Sequence, residues 1–391
     1  MEISRFKTQV AIIGAGPAGL MLGHALMLEG IDCIILERQT REHVEARIRA
    51  GVLEQVTTDM MARLGLNDRL SKEGLLHEAV VLLSEGSMIP VAITRHTGKH
   101  VTVYGQTELT KDLIAAAEDR GLPIVWEAKD VALHDIEGTA PYVTYGAGHR
   151  VDCAIIAGCD GYHGPSRYAI PAKVRREFER VYPFGWLGIL ADVPPCHAEV
   201  AYASHDRGFA LASMRSMTRS RYYLQVGLDE QVEDWSDERF WDELCTRLGP
   251  KLGGQVTRGR SIEKSIAPLR SYVSEPMRHA RLFLAGDATH IVPPTGAKGL
   301  NLAASDVTYL ADALLDWFKK GTSAGIDGYS AQALRRVWKT ERFSWYLTEL
   351  MHRFPDGGAF DRRMQDAELD YIANSDAAQA MIAENYVGLA L

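Results

Sequence analysis

Apolar residues follow two regimes along this chain. In residues 10–37, which read VAIIGAGPAGLMLGHALMLEGIDCIILE, they form continuous runs. The run at 10–13 predicts a buried strand, the small-residue-rich stretch after it a helix, and the run at 31–36 a second buried strand. That succession is a βαβ unit. Residues 53–70 carry apolar positions at turn spacing and predict a helix, as do 108–119. Residues 79–94 alternate enough for strands, and 124–126 predict a short one. Residues 142–145 and 151–157 predict a hairpin linked by Gly146-Ala-Gly-His149, and the second run ends in the turn signal Gly158-Cys-Asp-Gly161. From about residue 181 the texture changes. Residues 186–191, 199–203, 208–214 and 221–226 are strand-like with polar turns between them. They predict a mostly antiparallel second lobe, with a helix at 235–248 beside it. The buried run 281–285 predicts a strand returning to the first lobe, and 303–320 and 331–354 predict long helices. The last carries Trp338, Phe343, Trp345 and Tyr346, a stripe that suits core or a subunit contact. The divisions expected are 1–180, 181–275 and 276–391.

The first βαβ unit carries chemistry. Gly14, Gly16 and Gly19 stand in G-x-G-x-x-G spacing directly after the first strand. Gly14 suits the sharp turn, Gly16 lets backbone approach a pyrophosphate, and Gly19 lets the helix lie close on the sheet. The helix N-terminus offers unpaired N–H groups to phosphate, and Glu37, at the end of the second strand, is placed to bond a ribose. Two later motifs sharpen this. Asp160-Gly161 follows a strand, with His163 and Arg167 close behind. Residues 281–301, RLFLAGDATHIVPPTGAKGLN, end a buried strand in Gly286-Asp287 and then open a helix near Lys298 to Asn301. The aspartate can bond a ribityl chain, and the helix start can aim N–H groups at the anionic end of a reduced flavin.

Bulk properties narrow the rest. The 391 residues allow two or three lobes with a large core, and 46% hydrophobic with 24% charged residues is ordinary for a soluble globular protein. A net charge of −8 argues against nucleic acid as a partner; the basic run Lys173-Val-Arg-Arg176 reads as a solvated face. Five scattered cysteines without a C-x-x-C pair suit free thiols in a cytoplasmic setting. Arg5 and Lys7 before an apolar stretch imitate a signal peptide, but the glycines, Pro17 and His24 fit a strand, turn and helix better. No apolar run is long enough to span a membrane, and no metal motif is present.

The glycine fingerprint with Glu37, the Asp160-Gly161 turn and the Gly286-Asp287 strand end, in that order, resemble the FAD-dependent aromatic hydroxylases, the single-component flavoprotein monooxygenases. The resemblance covers nearly the whole chain. It implies an α/β fold with α+β lobes: a Rossmann-like FAD-binding domain, a mostly antiparallel β substrate domain and a C-terminal helical region. The segments Arg47-Ile-Arg-Ala-Gly51, Tyr104-Gly-Gln-Thr-Glu108, Tyr182-Pro-Phe-Gly-Trp186, Ser220-Arg-Tyr-Tyr223, Lys264-Ser-Ile-Ala-Pro-Leu269 and Glu384-Asn-Tyr-Val-Gly388 are similar to members that act on 4-hydroxybenzoate. They imply its hydroxylation to 3,4-dihydroxybenzoate with NAD(P)H and O2 through a flavin hydroperoxide; another hydroxy- or aminobenzoate is the alternative.

The resemblance also implies roles. Ser213, Arg215 and Tyr223 surround the substrate carboxylate, a fork and two hydroxyls suited to it. Tyr202 meets the phenol, with Tyr386 behind it, His77 at the solvent end of a proton relay, and the backbone of Pro294 facing the same phenol. For the flavin it implies Glu37 at the ribose, Arg49 at the pyrophosphate, Gln106 along the chain, Asp287 at the ribityl, and Leu300 and Asn301 at the ring. For the nicotinamide donor it implies Arg38, Arg47, His163, Arg167 and Arg270 in a surface groove. After Glu37 the signs conflict: Arg38 and Arg41 suit a 2′-phosphate, while Glu42 and Glu45 repel one, so NADPH is favoured slightly and NADH stays open. A homodimer is also implied.

Overall fold

The computed structural model describes residues 4–47, 51–84 and 87–391. Val10–Ile13 has no polar side chain and is buried throughout, as a central strand of a parallel sheet must be. It lies between Cys33–Leu36 and Ile155–Gly158, parallel to both. The six-stranded order is Arg278–His279, Leu282–Leu284, Ile155–Gly158, Val10–Ile13, Cys33–Leu36, Ile124–Val125. Because the strands ending at Ile13, Gly158 and Leu284 all run the same way, the glycine loop, Asp160 and Gly286 emerge at one edge. This is the crevice outside the carboxyl ends where parallel sheets bind ligands. The helices Pro17–Leu28 and Gly299–Lys320 cover the sheet and share its largest apolar core.

The second sheet has eight strands in the order His290–Ile291, Ser261–Glu275, Arg176–Ala191, Arg219–Val226, Ala210–Ser216, Val200–Ser204, Ala79–Ser84, Ser87–Ala92. It draws on residues 79–92 as well as the stretch after 176, and not on 181–275 alone. Small residues line one face: Ala201, Ala203, Ala210 and Ala212 let the helix Asp237–Gly253 settle against it. Aromatic residues crowd the other face, where Trp186, Tyr202 and Phe209 meet the helices Ala324–Met351 and Asp376–Tyr386.

Three local expectations need correction. Tyr142–Tyr145 pairs with His149–Asp152, not with a strand reaching 157. The apolar run 151–157 serves two sheets, since Ile155–Gly158 joins the parallel one, and no turn residue marks the change. The helix expected over 53–70 is cut by Gly65 at φ 66° into Gln55–Arg63 and Asp68–Glu73. The aromatic stripe also divides: Phe343 is in the core, while Trp338 and Trp345 are exposed.

Candidate active site

The three glycines of the loop do three different things. Gly14 has φ +102°, and a Cβ there would lie 2.5 Å from the Cys159 carbonyl oxygen. A Cβ on Gly19 would lie 1.9 Å from the Gly14 carbonyl oxygen, so only glycine lets the helix approach this closely. A Cβ on Gly16 would meet nothing within 4 Å. That open space sits before the first turn of Pro17–Leu28, which has no side-chain cap. Glu37 is buried beside the loop; its Oε2 accepts from the Ala15 N–H at 2.8 Å and its Oε1 from the Gln39 N–H at 2.8 Å. At the next strand end Asp160 Oδ2 accepts from the Ser166 N–H at 2.9 Å, while the buried Oδ1 has no partner. Burial raises the Asp160 carboxyl, partly offset by the Ser166 N–H. Gly286, at φ +64°, donates its N–H to Asp306 Oδ2 at 2.9 Å, and the Asp287 side chain is left exposed at the same edge. Open space at Gly16, an uncapped helix start, an exposed carboxylate and a partnerless buried oxygen fit an FAD laid along this edge. Gln106 begins the helix Gln106–Arg120, and Leu300 is half-buried near the start of Gly299–Lys320. The Asn301 side chain is already committed: Oδ1 accepts from Glu54 N–H and Thr57 Oγ1, and Nδ2 donates to the Val52 and Ala297 carbonyls. Its backbone alone is left for a flavin ring. Arg49 lies outside the described residues.

The pocket of the second sheet follows from register. Tyr202 stands opposite Leu211, Leu211 opposite Tyr223, Ser213 opposite Arg221, and Tyr223 opposite Gly188. Residues directly opposite share a face, and so do residues two apart. Tyr202, Ser213, Arg221, Tyr223 and Trp186 therefore share the face that meets the C-terminal helices, and Arg215 sits at a register shift between Met214 and Ser216. Gly188 makes room: a Cβ there would lie 2.6 Å from the Tyr223 ring. The Trp186 and Tyr223 rings are 5.0 Å apart. Arg221, which the sequence reading missed although it is two residues from Tyr223, pairs with Glu263 at 2.7 Å. The Tyr223 hydroxyl is within reach of both guanidiniums. Burial lowers the Arg215 guanidinium, opposed by the Tyr223 hydroxyl and the Glu263 charge, and among the described residues no carboxylate forms an ion pair with it. Ser213 Oγ spends its proton on the Met214 carbonyl at 3.3 Å.

Tyr202 and Tyr386 are both buried with hydroxyls 3.1 Å apart. Burial raises both phenols, Tyr386 to about 12. Behind them is a buried ion cluster that the sequence did not reveal. Lys298 Nζ donates to Glu54 Oε1 at 2.6 Å and to the Tyr386 carbonyl at 2.8 Å, and Arg336 Nη2 lies 3.5 Å from Glu54 Oε2. Burial pulls the Lys298 ammonium down. The cluster anchors Tyr386 through its backbone. Pro294 is exposed at the entrance, and its carbonyl already accepts from the Ala297 N–H at 2.9 Å, leaving one lone pair. His77 departs from expectation. It is 1% exposed, so it is not itself at the solvent end; its Nε2 lies 3.2 Å from Met214 Sδ, and no hydrogen bond among the described residues joins it to either tyrosine.

Three of the residues expected at the nicotinamide donor gather around Tyr162. Arg167 lies 4.5 Å over its ring, Arg270 4.8 Å, and the His163 ring is 5.1 Å away. Arg167, however, is 2% exposed within a cage of Tyr162, Tyr168 and Tyr272, and not on an open groove. His163 and Arg38 are exposed, as is Arg47, whose carbonyl accepts from Thr107 Oγ1 at 3.0 Å. The conflict of signs after Glu37 partly resolves: Arg41 is held by Glu45 at 2.7 Å and by Glu118, so Arg38 is the cation left to meet a ligand.

The cradle and the aromatic face of the second sheet define the class, a flavin-binding oxidoreductase. The FAD binding domain family matches residues 7–344. The p-hydroxybenzoate hydroxylase of Acinetobacter baylyi is 54% identical over 387 residues, covering 98% of this chain and 96% of that protein. The 3-amino-4-hydroxybenzoate 2-monooxygenase of Streptomyces cremeus is 26% identical over 382 residues, covering 89% of each. A p-nitrophenol 4-monooxygenase from Pseudomonas putida shares the fold, with a TM-score of 0.81 over 100% of both chains at 18% identity. The chain belongs to the FAD-binding family and is an FAD-dependent aromatic monooxygenase.

Proposed function

We propose that this enzyme hydroxylates 4-hydroxybenzoate to 3,4-dihydroxybenzoate with O2 and NADPH or NADH. One observation carries the reading most: an arginine, Arg215, that is in no ion pair among the described residues and within reach of the Tyr223 hydroxyl, on the sheet that carries Tyr202 of the buried tyrosine pair. A ring with a carboxylate at one end and a phenol at the other satisfies both. The relative at 54% identity is named for that substrate. Bound FAD supplies the redox and oxygen chemistry. The residues of this chain orient and deprotonate the ring. Arg215 takes the carboxylate by a charge-assisted fork, with the Tyr223 and Ser213 hydroxyls beside it. Tyr202 accepts the phenol proton as it passes its own to Tyr386, which leaves an electron-rich phenolate for attack. Packing by Trp186 and the C-terminal helices keeps the pocket dry.

The test is donor oxidation by the FAD-loaded protein, with and without 4-hydroxybenzoate, comparing NADPH with NADH and quantifying product. Strong stimulation with one 3,4-dihydroxybenzoate per donor consumed supports the reading. Oxidation without product points to another hydroxy- or aminobenzoate, and no stimulation removes the substrate assignment. NADPH is the slightly favoured donor, with Arg38 facing its 2′-phosphate, Arg47, His163 and Arg270 along the rest, and the enclosed Arg167 acting only through the tyrosines it stacks on. A homodimer through the exposed Trp338 and Trp345 is the proposed assembly, checked by sedimentation. The five free cysteines suit the cytoplasm, and among the described residues no helix is long and apolar enough to cross a membrane.

A further inference from the structure

A proton that reaches His77 still needs a way to water, because that ring is 1% exposed. The neighbouring strand supplies one. Val200–Ser204 runs parallel to Ala79–Ser84 with Val200 beside Val80, so Glu199 ends up next to His77 and Glu78. Glu199 Oε1 accepts from the Glu78 N–H at 3.2 Å, and this fixes Oε2 at 3.0 Å from His77 Nδ1. The two atoms are out of line for a hydrogen bond, and neither has any other partner. The Glu199 backbone N–H donates to the His197 ring at 3.0 Å, which holds the turn before the strand. The Glu199 side chain is 21% exposed while its Oε2 is buried against the imidazole, so one side chain reaches from the enclosed ring toward the surface. It also lies near enough to Tyr386 to raise that phenol electrostatically.

We propose that Glu199 is the proton exit of the active site, the group that takes a proton from His77 Nδ1 and gives it to solvent. This rests on the tyrosine relay proposed above and extends it by one residue. The balance is simple. The substrate O–H bond breaks, Tyr202, Tyr386 and His77 each gain one proton and lose one, and the Glu199 carboxylate binds one and releases it to water; no electrons move. Nε2 of His77 must exchange its Met214 contact for a tyrosine hydroxyl to take part. The imidazole then accepts at Nε2 and releases at Nδ1, a division of labour its two nitrogens allow.

The test follows the absorbance of bound 4-hydroxybenzoate as it ionises in the FAD-loaded enzyme, by rapid mixing. Glu199→Gln should keep FAD content and substrate affinity within about twofold, yet slow phenolate formation by about tenfold or more, the low end of proton-transfer effects. Added imidazole should restore the rate, and Glu199→Asp should recover part of it; a purely structural loss responds to neither. An unchanged rate in Glu199→Gln, or a slow rate that imidazole does not restore, overturns the exit. Tyr202→Phe and His77→Ala separate the two failures. If both slow ionisation and Glu199→Gln does not, only the exit falls. If Tyr202→Phe also ionises substrate at the normal rate, the relay itself is wrong and the exit falls with it.

Discussion

Arg215→Ala should move binding and stability in opposite directions. Arg221, on the adjacent strand, has its charge met by Glu263 at 2.7 Å, but Arg215 has no such partner among the described residues and burial opposes its charge. Its charge is therefore offset only by the Tyr223 hydroxyl and by Glu263, which is already paired with Arg221. A ligand carboxylate completes the pair. Truncating one partner of a buried pair costs about 3–5 kcal/mol, so the variant should bind 4-hydroxybenzoate about a hundredfold to a few thousandfold more weakly. Without ligand the same change removes a desolvated charge, so the protein should be more stable by about 1 kcal/mol or more. Titration of the flavin absorbance gives the affinity, and thermal unfolding of the same FAD-loaded samples gives the stability. Arg215→Lys keeps the charge and loses the fork, so it should fall between. Affinity within about threefold of the parent would refute the clamp. Stability falling together with affinity would show that Arg215 holds the sheet and not the ligand.

Two glycines of the loop should separate folding from cofactor binding. Gly19→Ala drives a Cβ to 1.9 Å from backbone and should cost about 3 kcal/mol or more with loss of flavin; Gly16→Ala meets nothing within 4 Å and should leave the apoprotein fully stable while weakening FAD about tenfold or more, read by flavin fluorescence. Glu341 is buried with no well-formed hydrogen bond to either carboxylate oxygen, and burial pushes it from 4.5 to about 7, only partly opposed by the Ser271 hydroxyl, His290 and the Tyr272 backbone. The folded state then holds this proton more tightly than the unfolded one, so Glu341 should make stability fall as pH rises from 4.5 to about 7 and add no slope above that. At about 1.4 kcal/mol per pH unit that gap is about 3 kcal/mol, so Glu341→Gln should be more stable than the parent at pH 8 and equal to it near pH 4, by denaturant titration; equal stability at pH 8 would refute it. Asp306 Oδ2 takes both the Gly286 N–H and His290 Nε2, at 2.6 Å, so Asp306→Asn should loosen the turn that presents Asp287 and raise the FAD dissociation constant about tenfold, while unchanged FAD affinity would count against this.

The cradle was legible because its physics is local. A strand, three glycines and an acid at fixed spacing determine their own geometry, and Gly14, Gly19 and Glu37 stand where that spacing puts them. The run 151–157 was misread for the opposite reason: two short strands in succession look like one, and only tertiary pairing divides them. Residues 79–92 were read as strands, but alternation does not say which sheet they join.

The same limit explains the site. Alternation along the sequence pairs Ser213 with Arg215 and Arg221 with Tyr223, although a register shift between Met214 and Ser216 interrupts the first pair. Joining the two pairs needs the cross-strand register, which places Ser213 opposite Arg221 and Gly188 beneath the Tyr223 ring. The Glu54, Lys298 and Arg336 cluster spans most of the chain, and each member alone looks like an ordinary surface charge. Burial turns these three into an anchor for Tyr386, and burial was the quantity the sequence did not carry. His77 shows it most directly. The resemblance puts it at the solvent end of a relay, but its ring is enclosed, and the half-buried carboxylate next to it is Glu199. A sheet that buries a titratable ring must bring a second polar group beside it or leave the ring unable to exchange protons with water. His77 ends the strand Leu75–His77, which pairs antiparallel with Val101–Val103, and the parallel pairing of the next strand, Ala79–Ser84, with Val200–Ser204 brings Glu199 to it.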